Sequence, residues 1–577
     1  MMNKSIIKYE KSQYIIIFIF FMHQIYFSLK VGTHWDEIGV MWAAGKFLEK
    51  LKLTILDFNN PLLGEYVFEE YYGVFASLPI HIFTRITYSF KSISEFLIST
   101  NLFVNEFDYF YFLRRFFLTI YVCVLLYFIV KNLKKNFSTK TSFWFVIFLV
   151  LYPSFNGHAM FNFTDIPLAL NLFLATLVYL EKFKDTSRAR LSTSEILIVS
   201  FCISSCVLIR ATSVVFLIPL FIFSSNNWKK KNSLSRFVIS NIKILITSLS
   251  IYIIGTPNMW RFPQKYISNI LNVQFDNPWR GVTLTNGMFV DAANPTMSYL
   301  STWFFYKTPI IILFFFLTFL FFIRRERLDN LSKYSIFLIS YTFLLHIAVS
   351  PLTYNEIRHY LFLLPFITYI ATSGFLFLVN NYPKIKVPLI FLSMIYLFIT
   401  QIPYDQYKYS YLNEFASTED MSGYCEDING CGNWILDYWG TSGKESAEML
   451  SNHKVKNLLI CQPQVSTTIY MNHNKIDISN FWVFKNGIPV YNETSGFEQY
   501  KLIYSEGHFK DAIKNRNITE MHVHSIYHPH RPLDTCNFFE IQDEYNISCS
   551  LEDSVSRIIR GNDVYFSFLS KCSFERL

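Results

Sequence analysis

Thr33-His34-Trp35-Asp36-Glu37 follows directly on an apolar run at residues 14–29. Two adjacent carboxylates therefore stand where a membrane helix emerges into water. Charges at such a boundary stay hydrated while meeting a lipid-borne reactant, which makes them candidates for chemistry. The pair also reads as a solvated edge, or as the start of an interfacial helix. The preceding run does not read as a removed signal peptide. It has a basic start, but Lys30 and Val31 follow it in place of a small-residue cleavage site.

Working outward, the composition is that of a polytopic membrane protein. Hydrophobic residues make up 52% of the chain and charged ones 16%, too little charge for an ordinary soluble chain. The 61 Phe and 37 Tyr suit lipid contact and interfacial belts. The net charge of +8 does not indicate nucleic-acid binding, because the basic residues gather in short loops between apolar runs. Lys4, Lys8 and Lys11 put the N-terminus inside, so the acidic pair lies outside. Segments 39–50 and 72–90 are amphipathic and are expected to lie on the outer face as interfacial helices.

Further spans are expected near residues 111–130, 142–155, 167–180, 242–254, 308–323, 334–349 and 387–402, with another beginning at Arg358. The run at 196–223 is interrupted by Arg210-Ala211-Thr212 and is basic at both ends. A helical hairpin with Arg210 at its outer tip satisfies the charge rule there. The sum is about eleven spans with every basic loop on one side. Beyond Tyr404 polar residues become frequent and no long apolar run recurs. The expected division is a transmembrane part, 1–403, and an outer α/β domain, 404–577. Strand, helix and strand are expected at 434–439, 443–452 and 455–461, with later strands at 500–504 and 520–526.

The tail holds Cys425, Cys431, Cys461, Cys536, Cys549 and Cys572, which can form disulfides on the outer side. Cys425 with Cys431 is a plausible local pair. Glycosylation sequons stand at Asn492, Asn517 and Asn546. His522, His524, His528 and His530 suggest either a metal site or a solvated polar strand, with His522 and His524 on one face.

Four local segments carry a family resemblance. Gly157-His158-Ala159-Met160-Phe161-Asn162-Phe163-Thr164-Asp165-Ile166-Pro167 is similar to a "GHsfFNpkDIPfA" signature. Glu356-Ile357-Arg358-His359-Tyr360-Leu361-Phe362-Leu363-Leu364-Pro365 is similar to "RHxLFLLP". Tyr404-Asp405-Gln406-Tyr407-Lys408-Tyr409 and Asp437-Tyr438-Trp439-Gly440-Thr441-Ser442 resemble "PYqyxYfN" and "DYWGTS". Together with the outer acidic pair, this order resembles a bacterial branch of the GT-C glycosyltransferases, related to protein O-mannosyltransferases and aminoarabinose transferases. The resemblance runs from the first span to about Leu450. This chain has Phe163-Thr164 where the signature has Pro-Lys, so any phosphate contact made by that lysine comes from elsewhere.

The resemblance implies an all-α polytopic membrane protein of GT-C fold with a C-terminal extracytoplasmic α/β domain. It implies a sugar taken from a polyprenyl-phosphate donor at the outer face of a bacterial inner membrane or an ER membrane. It places the general base at Asp36, with Glu37 orienting the base or the acceptor. It gives Asp165 a contact to the acceptor, the base or a metal, and Asp165 ahead of Ile166-Pro167 also suits a helix cap. Arg358, His359, Arg210 and Arg280 are the candidates for the donor phosphate. Arg358 otherwise snorkels to lipid headgroups. His34 either assists Asp36 or sits at the interface. The resemblance fixes no cofactor and leaves room for a divalent metal. Expected partners are the lipid-linked sugar and membrane lipid, with the acceptor open and no nucleic acid. The rival class is a transporter using the same carboxylates and arginines as a substrate or proton path.

Overall fold

Short polar signals start several helices where the apolar runs begin. Asn105 accepts a hydrogen bond from the Asp108 amide, Ser138 from Thr141, and Asp329 from Ser332. Ser192 and Glu195 form a reciprocal capping box. Each such cap is worth about 1 kcal/mol. The computed structural model describes residues 2–57, 60, 73–100, 102–184, 191–225, 231–275, 282–322, 328–354, 356–417, 421, 433–434, 436–453, 455, 457–461, 464–471, 480–484, 501–503, 519–525 and 544–577.

The helices before the first strands are α1 (Met2–Ser28), α2 (Trp35–Leu56), α3 (Ser77–Tyr88), α4 (Lys91–Ser99), α5 (Glu106–Asn136), α6 (Thr139–Val150), α7 (Pro153–Ala159), α8 (Asp165–Lys182), α9 (Thr193–Ile209), α10 (Ser213–Ser225), α11 (Lys231–Ile254), α12 (Asn258–Arg261) and α13 (Pro263–Phe275). A small antiparallel hairpin, β1 (Val282–Thr285) with β2 (Met288–Asp291), follows in a loop where no strand was expected. Then come α14 (Tyr299–Lys307), α15 (Ile310–Phe322), α16 (Asn330–Val349), a 3-10 turn at Arg358–Leu363, α17 (Leu364–Asn381), α18 (Lys386–Ile399) and a second 3-10 stretch at Ile402–Ser410.

Four of these are long and apolar enough to cross a membrane: Glu106–Asn136, Ser235–Ile254, Asn330–Val349 and Arg358–Asn381. Two sharply bent pairs raise the number to six among the described residues. This is a multi-pass membrane protein. The expected interruption at Arg210 is real, since Arg210 ends α9 in extended backbone. The expected outer helices correspond to α2 and α3. α2 starts at Trp35, so Asp36 and Glu37 lie in its first turn, where carboxylates suit the helix dipole.

Polar side chains inside apolar helices fix the packing of α1. Gln13 donates to Ser142 Oγ at 2.7 Å and Gln24 to Asn156 Oδ1 at 3.0 Å. One hydrophobic cluster runs on from Phe20, Leu118 and Phe173 through Tyr409 and Trp439 to Leu458, Val564 and Leu569 in the tail.

The tail is an α/β unit. Helices α19 (Gly443–Asn452) and α20 (Gln464–Tyr470) accompany β3 (Asn457–Ile460), β4 (Asn480–Phe484), β5 (Lys501–Ile503), β6 (Glu520–Ser525), β7 (Tyr545–Ile559) and β8 (Asn562–Arg576). The sheet order is β5-β4-β3-β6-β8-β7. The four shorter strands run parallel, and β8 and β7 add an antiparallel hairpin. Arg560 and Gly561, both at positive φ, make its two-residue turn. Cys549 and Cys572 face each other across it and form a disulfide. Cys461 is also disulfide-bonded. Cys425, Cys431 and Cys536, like sequons Asn492 and Asn517, lie outside the described residues.

The strand expected at 434–439 is not found among the described residues 434 and 436–439. Asp437 accepts from the amides of Thr441 and Ser442, both at 2.8 Å, and Gly440 adopts φ 70°. An aspartate that caps its own downstream amides favours a turn over a ladder.

α7 packs against the second 3-10 stretch at very short range. A Cβ on Gly157 would stand 2.0 Å from the Tyr409 amide nitrogen. Gly157→Ala is therefore expected to destabilise the protein by about 1–3 kcal/mol, the usual penalty of overpacking a tight core. Thermal unfolding in detergent measures this, and an unchanged midpoint would show that the backbones separate freely.

Candidate functional site

Distant parts of the chain meet beside the start of α2. Arg358 makes a short ion pair with Asp36 and places Nε 3.5 Å from Asp165. Asp165 in turn binds Arg210 at 3.0 Å. Four sequence-predicted carboxylate and arginine positions thus become one chain of alternating charge with Asp36 at its end. The side chain of Asp36 is 39% exposed, whereas Arg358 and Asp165 are 5% and 4% exposed. Only Asp36 presents a carboxylate outward. Asp165 also accepts from Asn162 Nδ2 at 3.0 Å, and Asn162 Oδ1 accepts from the Asp165 amide at 2.8 Å. Asn162 therefore does the local turn-closing work that a cap reading assigned to Asp165.

Glu37 points elsewhere. It is fully buried, accepts from Thr33 Oγ1 at 2.7 Å and pairs with fully buried Arg115 at 3.3 Å. Arg115 also donates to the carbonyls of Val31 and Ser28 and reaches Tyr470 OH at 3.3 Å. The Glu37–Arg115 pair anchors the end of α1 to α5 and α20. A similar clasp joins Lys444 of α19 to Asp108, 2.7 Å away, and to the Leu29 carbonyl.

Tail residues close the site. The Trp439 ring lies 4.2 Å from the Arg358 guanidinium, and Tyr354 lies on another side at 5.4 Å. Such stacking holds a planar cation without consuming its hydrogen-bond donors. His34 is packed among Phe161, Phe163 and Trp439. Its Nε2 lies 2.8 Å from the Phe161 carbonyl, so that nitrogen carries the proton. Burial pushes His34 down to about 3. It is a neutral wall residue and does not assist Asp36 as a base. His359 packs edge-on against Tyr354. Arg280 lies outside the described residues.

A second buried pair sets the approach to Arg358. Glu356, two residues before it, adopts φ 65°. Its carboxylate makes a short pair with Lys307, and its carbonyl accepts from Tyr299 OH at 3.1 Å. Lys307 also donates to the Tyr409 carbonyl at 2.9 Å. Burial pushes the Glu356 carboxyl up to about 7 although Lys307 opposes it. Sequence reasoning did not single out Arg115, Lys307, Glu356 or Trp439. The available signals were the two arginines in the apolar run 111–130 and the glutamate beside Arg358.

The carboxylates do not suit a metal. Asp36 and Asp165 are both engaged by guanidinium groups, and among the described residues no group of three or more His, Cys, Asp or Glu side chains could hold an ion. In the tail, His522 pairs with Glu552 at 2.7 Å and His524 is fully buried. His528 and His530 lie outside the described residues.

No protein-family model matches the chain. No curated protein matches it either. Two solved structures are similar along nearly the whole length. ArnT from Cupriavidus metallidurans in the apo state shares 9% sequence identity at a TM-score of 0.47, over 99% of this chain and 98% of that one. ArnT from the same organism bound to undecaprenyl phosphate shares 9% at a TM-score of 0.47, over 96% and 97%.

Two outcomes are expected from this geometry. Glu37→Gln leaves Arg115 as an uncompensated buried charge and should cost about 3–5 kcal/mol, with Glu37→Gln/Arg115→Met recovering part of it. Chemical denaturation of the two variants decides this, and a single variant as stable as the parent would show that the pair bears no weight. Burial also holds His34, His158 and His524 down to about 3, against an ordinary 6.5. A lowered histidine keeps its full contribution above 6.5 and loses it as pH falls toward 3. Stability should therefore drop through that window by up to about 1.4 kcal/mol per pH unit for each histidine. An unfolding midpoint flat from pH 7 to 4 would contradict it.

Proposed function

We propose that this protein is an integral membrane glycosyltransferase of GT-C type, moving one sugar from a polyprenyl-phosphate-linked donor to an acceptor with inversion. The observation that carries the reading is the exposed Asp36 carboxylate set against buried Arg358, with Asp165 and Arg210 behind it. The active face is the periplasmic or lumenal one, where the charge rule puts residues 33–37.

In this mechanism the donor phosphate arrives at Arg358 and takes over the guanidinium that Asp36 holds in the unliganded protein. Asp36 is thereby released as a general base. It accepts the proton of the acceptor hydroxyl or amine as the acceptor oxygen or nitrogen bonds to the anomeric carbon from the face opposite the phosphate. The sugar–phosphate C–O bond breaks and the phosphate leaves with the electron pair. Arg358, and Arg210 through its contact with Asp165, compensate the charge that grows there. His359 and Arg280 are further candidates for the phosphate. Trp439 and Tyr354 keep the Arg358 plane in place. Glu37 acts on this site indirectly, by fixing the first turn of α2.

Asp36→Asn keeps shape but removes basicity, and transfer should fall by about 10²–10⁴-fold, the usual worth of a general base. Because the substitution also removes the Asp36 charge from beside Arg358, binding of a short-chain polyprenyl phosphate should tighten. Arg358→Ala should weaken that binding and slow transfer together. Lipid-linked sugars and cell glycans compared by mass spectrometry, with purified variants assayed for binding, provide the readout. Full transfer by Asp36→Asn would remove Asp36 from the mechanism. Loss of solute flux with every glycan unchanged would favour a transporter.

A further inference from the structure

A second group of polar atoms lacks partners, well away from Asp36 in its contacts. It lies where α3 crosses α5. Arg114 is 7% exposed, and its Nε and Nη1 are buried with no hydrogen-bond partner. On α3, His81 is 7% and Thr84 0% exposed, and His81 Nδ1 and Thr84 Oγ1 are likewise buried without a partner. His81, Thr84 and Arg85 are spaced to share one face of α3. Arg114 and Arg85 approach the same Phe110 ring, at 4.5 and 5.4 Å. Tyr111 lies 4.9 Å from Arg114 on another side. Among the described residues neither arginine has a salt bridge. Glu37, whose charge reaches Arg114, is already committed to Arg115.

Buried polar atoms are nearly always paired, and a guanidinium with two idle buried donors is costly unless an anion completes it. The Tyr111 hydroxyl is within hydrogen-bonding reach of the Arg114 side chain, which still leaves Nε and Nη1 without a partner. What is missing is an acceptor with several oxygens: one for the guanidinium fork, one for the Thr84 hydroxyl and one for an imidazole N–H. A tetrahedral phosphate has that shape and charge. Burial, and then the two guanidinium charges, hold His81 down to about 4, which fits a pocket that is positive before its ligand arrives.

The flank of the pocket says which phosphate. Arg85 is exposed. Phe83, Ile86 and Phe90, on and just after the same helix, and Phe107 on α5 are all exposed large apolar side chains. Further along α5, Val124 and Phe128 are exposed as well. A free anion has no use for that surface, whereas acyl chains do.

We propose that Arg114, Thr84, His81 and Arg85 form a binding site for the phosphate headgroup of a membrane lipid, with its chains lying on the apolar side of α3 and α5. The site shares no residue with the Asp36–Arg358 cluster and stands or falls independently of glycosyl transfer.

The test is lipid retention by the full-length protein in nanodiscs and after detergent extraction, read by native mass spectrometry. Phosphatidylglycerol is the probe, diacylglycerol with the same chains is the neutral control, and inorganic phosphate is the competitor. The wild type should retain phosphatidylglycerol over diacylglycerol, and inorganic phosphate should displace it. Arg114→Met and Arg85→Ala should each weaken retention by about tenfold, the worth of one charge-assisted contact. Arg114→Met removes a buried charge that has no ion-pair partner among the described residues, and Arg85 is exposed, so both variants should fold as well as the parent. Equal retention of phosphatidylglycerol by both variants would overturn the site. So would retention of diacylglycerol as strong as that of phosphatidylglycerol. Capture of inorganic phosphate alone would overturn the lipid assignment.

Discussion

Asp36, Arg358, Asp165 and Arg210 alternate in sign, and the contacts between them hold together four pieces of chain that are otherwise far apart. Only Asp36 reaches solvent to a substantial degree. A buried charge is tolerable only while its partner stays in place, so each of these side chains makes the position of the next obligatory. The start of α2, the start of α8, the end of α9 and the 3-10 turn at Arg358 are tied to one another by that requirement. The geometry offered to a substrate is a consequence of electrostatics that the fold cannot relax.

Around this chain the structure places supports that never touch it. Glu37 and Arg115 fix the exit of α1, Lys444 and Asp108 join α19 to α5, and Lys307 and Glu356 fix the segment leading to Arg358. Each pair joins elements distant in sequence. Buried ion pairs contribute little net stability, because desolvation offsets their attraction, but they penalise any arrangement that separates them. Their value here lies in register. Glu356 shows the point most directly, since its left-handed backbone is held by Tyr299 on the carbonyl and Lys307 on the carboxylate.

The polar tail is continuous with the membrane helices. Its Trp439 lies on Arg358, its Tyr470 on Arg115, and Gly32 donates to the Thr441 carbonyl at 2.9 Å. A Cβ on Gly32 would stand 2.6 Å from that carbonyl oxygen, so the α1 exit and the turn that Asp437 organises need glycine to meet. The nearer of the two aromatic rings on the arginine, Trp439, is thus supplied by a residue that comes after the last apolar run.

Much was legible in the sequence because it depends on local pattern. Apolar runs located the long helices, the interruption at Arg210 located a break, and the acidic pair located the exposed carboxylate. Sequence also picked out Asp36, Asp165, Arg210 and Arg358, since charges beside apolar runs are costly and therefore conspicuous. It could not say which charge would face which. Adjacent Asp36 and Glu37 look equivalent in one dimension, yet successive helix positions point about 100° apart, so one emerges while the other is sealed against Arg115. The turn at 434–439 was misread as a strand because Trp434-Ile435-Leu436 and Tyr438-Trp439 make a short aromatic-rich apolar run, and the Asp437 side chain that bends it acts at close range. Arg115, Lys307 and Trp439 acquired roles only when tertiary contacts removed water from around them, because burial sets the cost of leaving a charge unpaired and no single stretch of sequence records it.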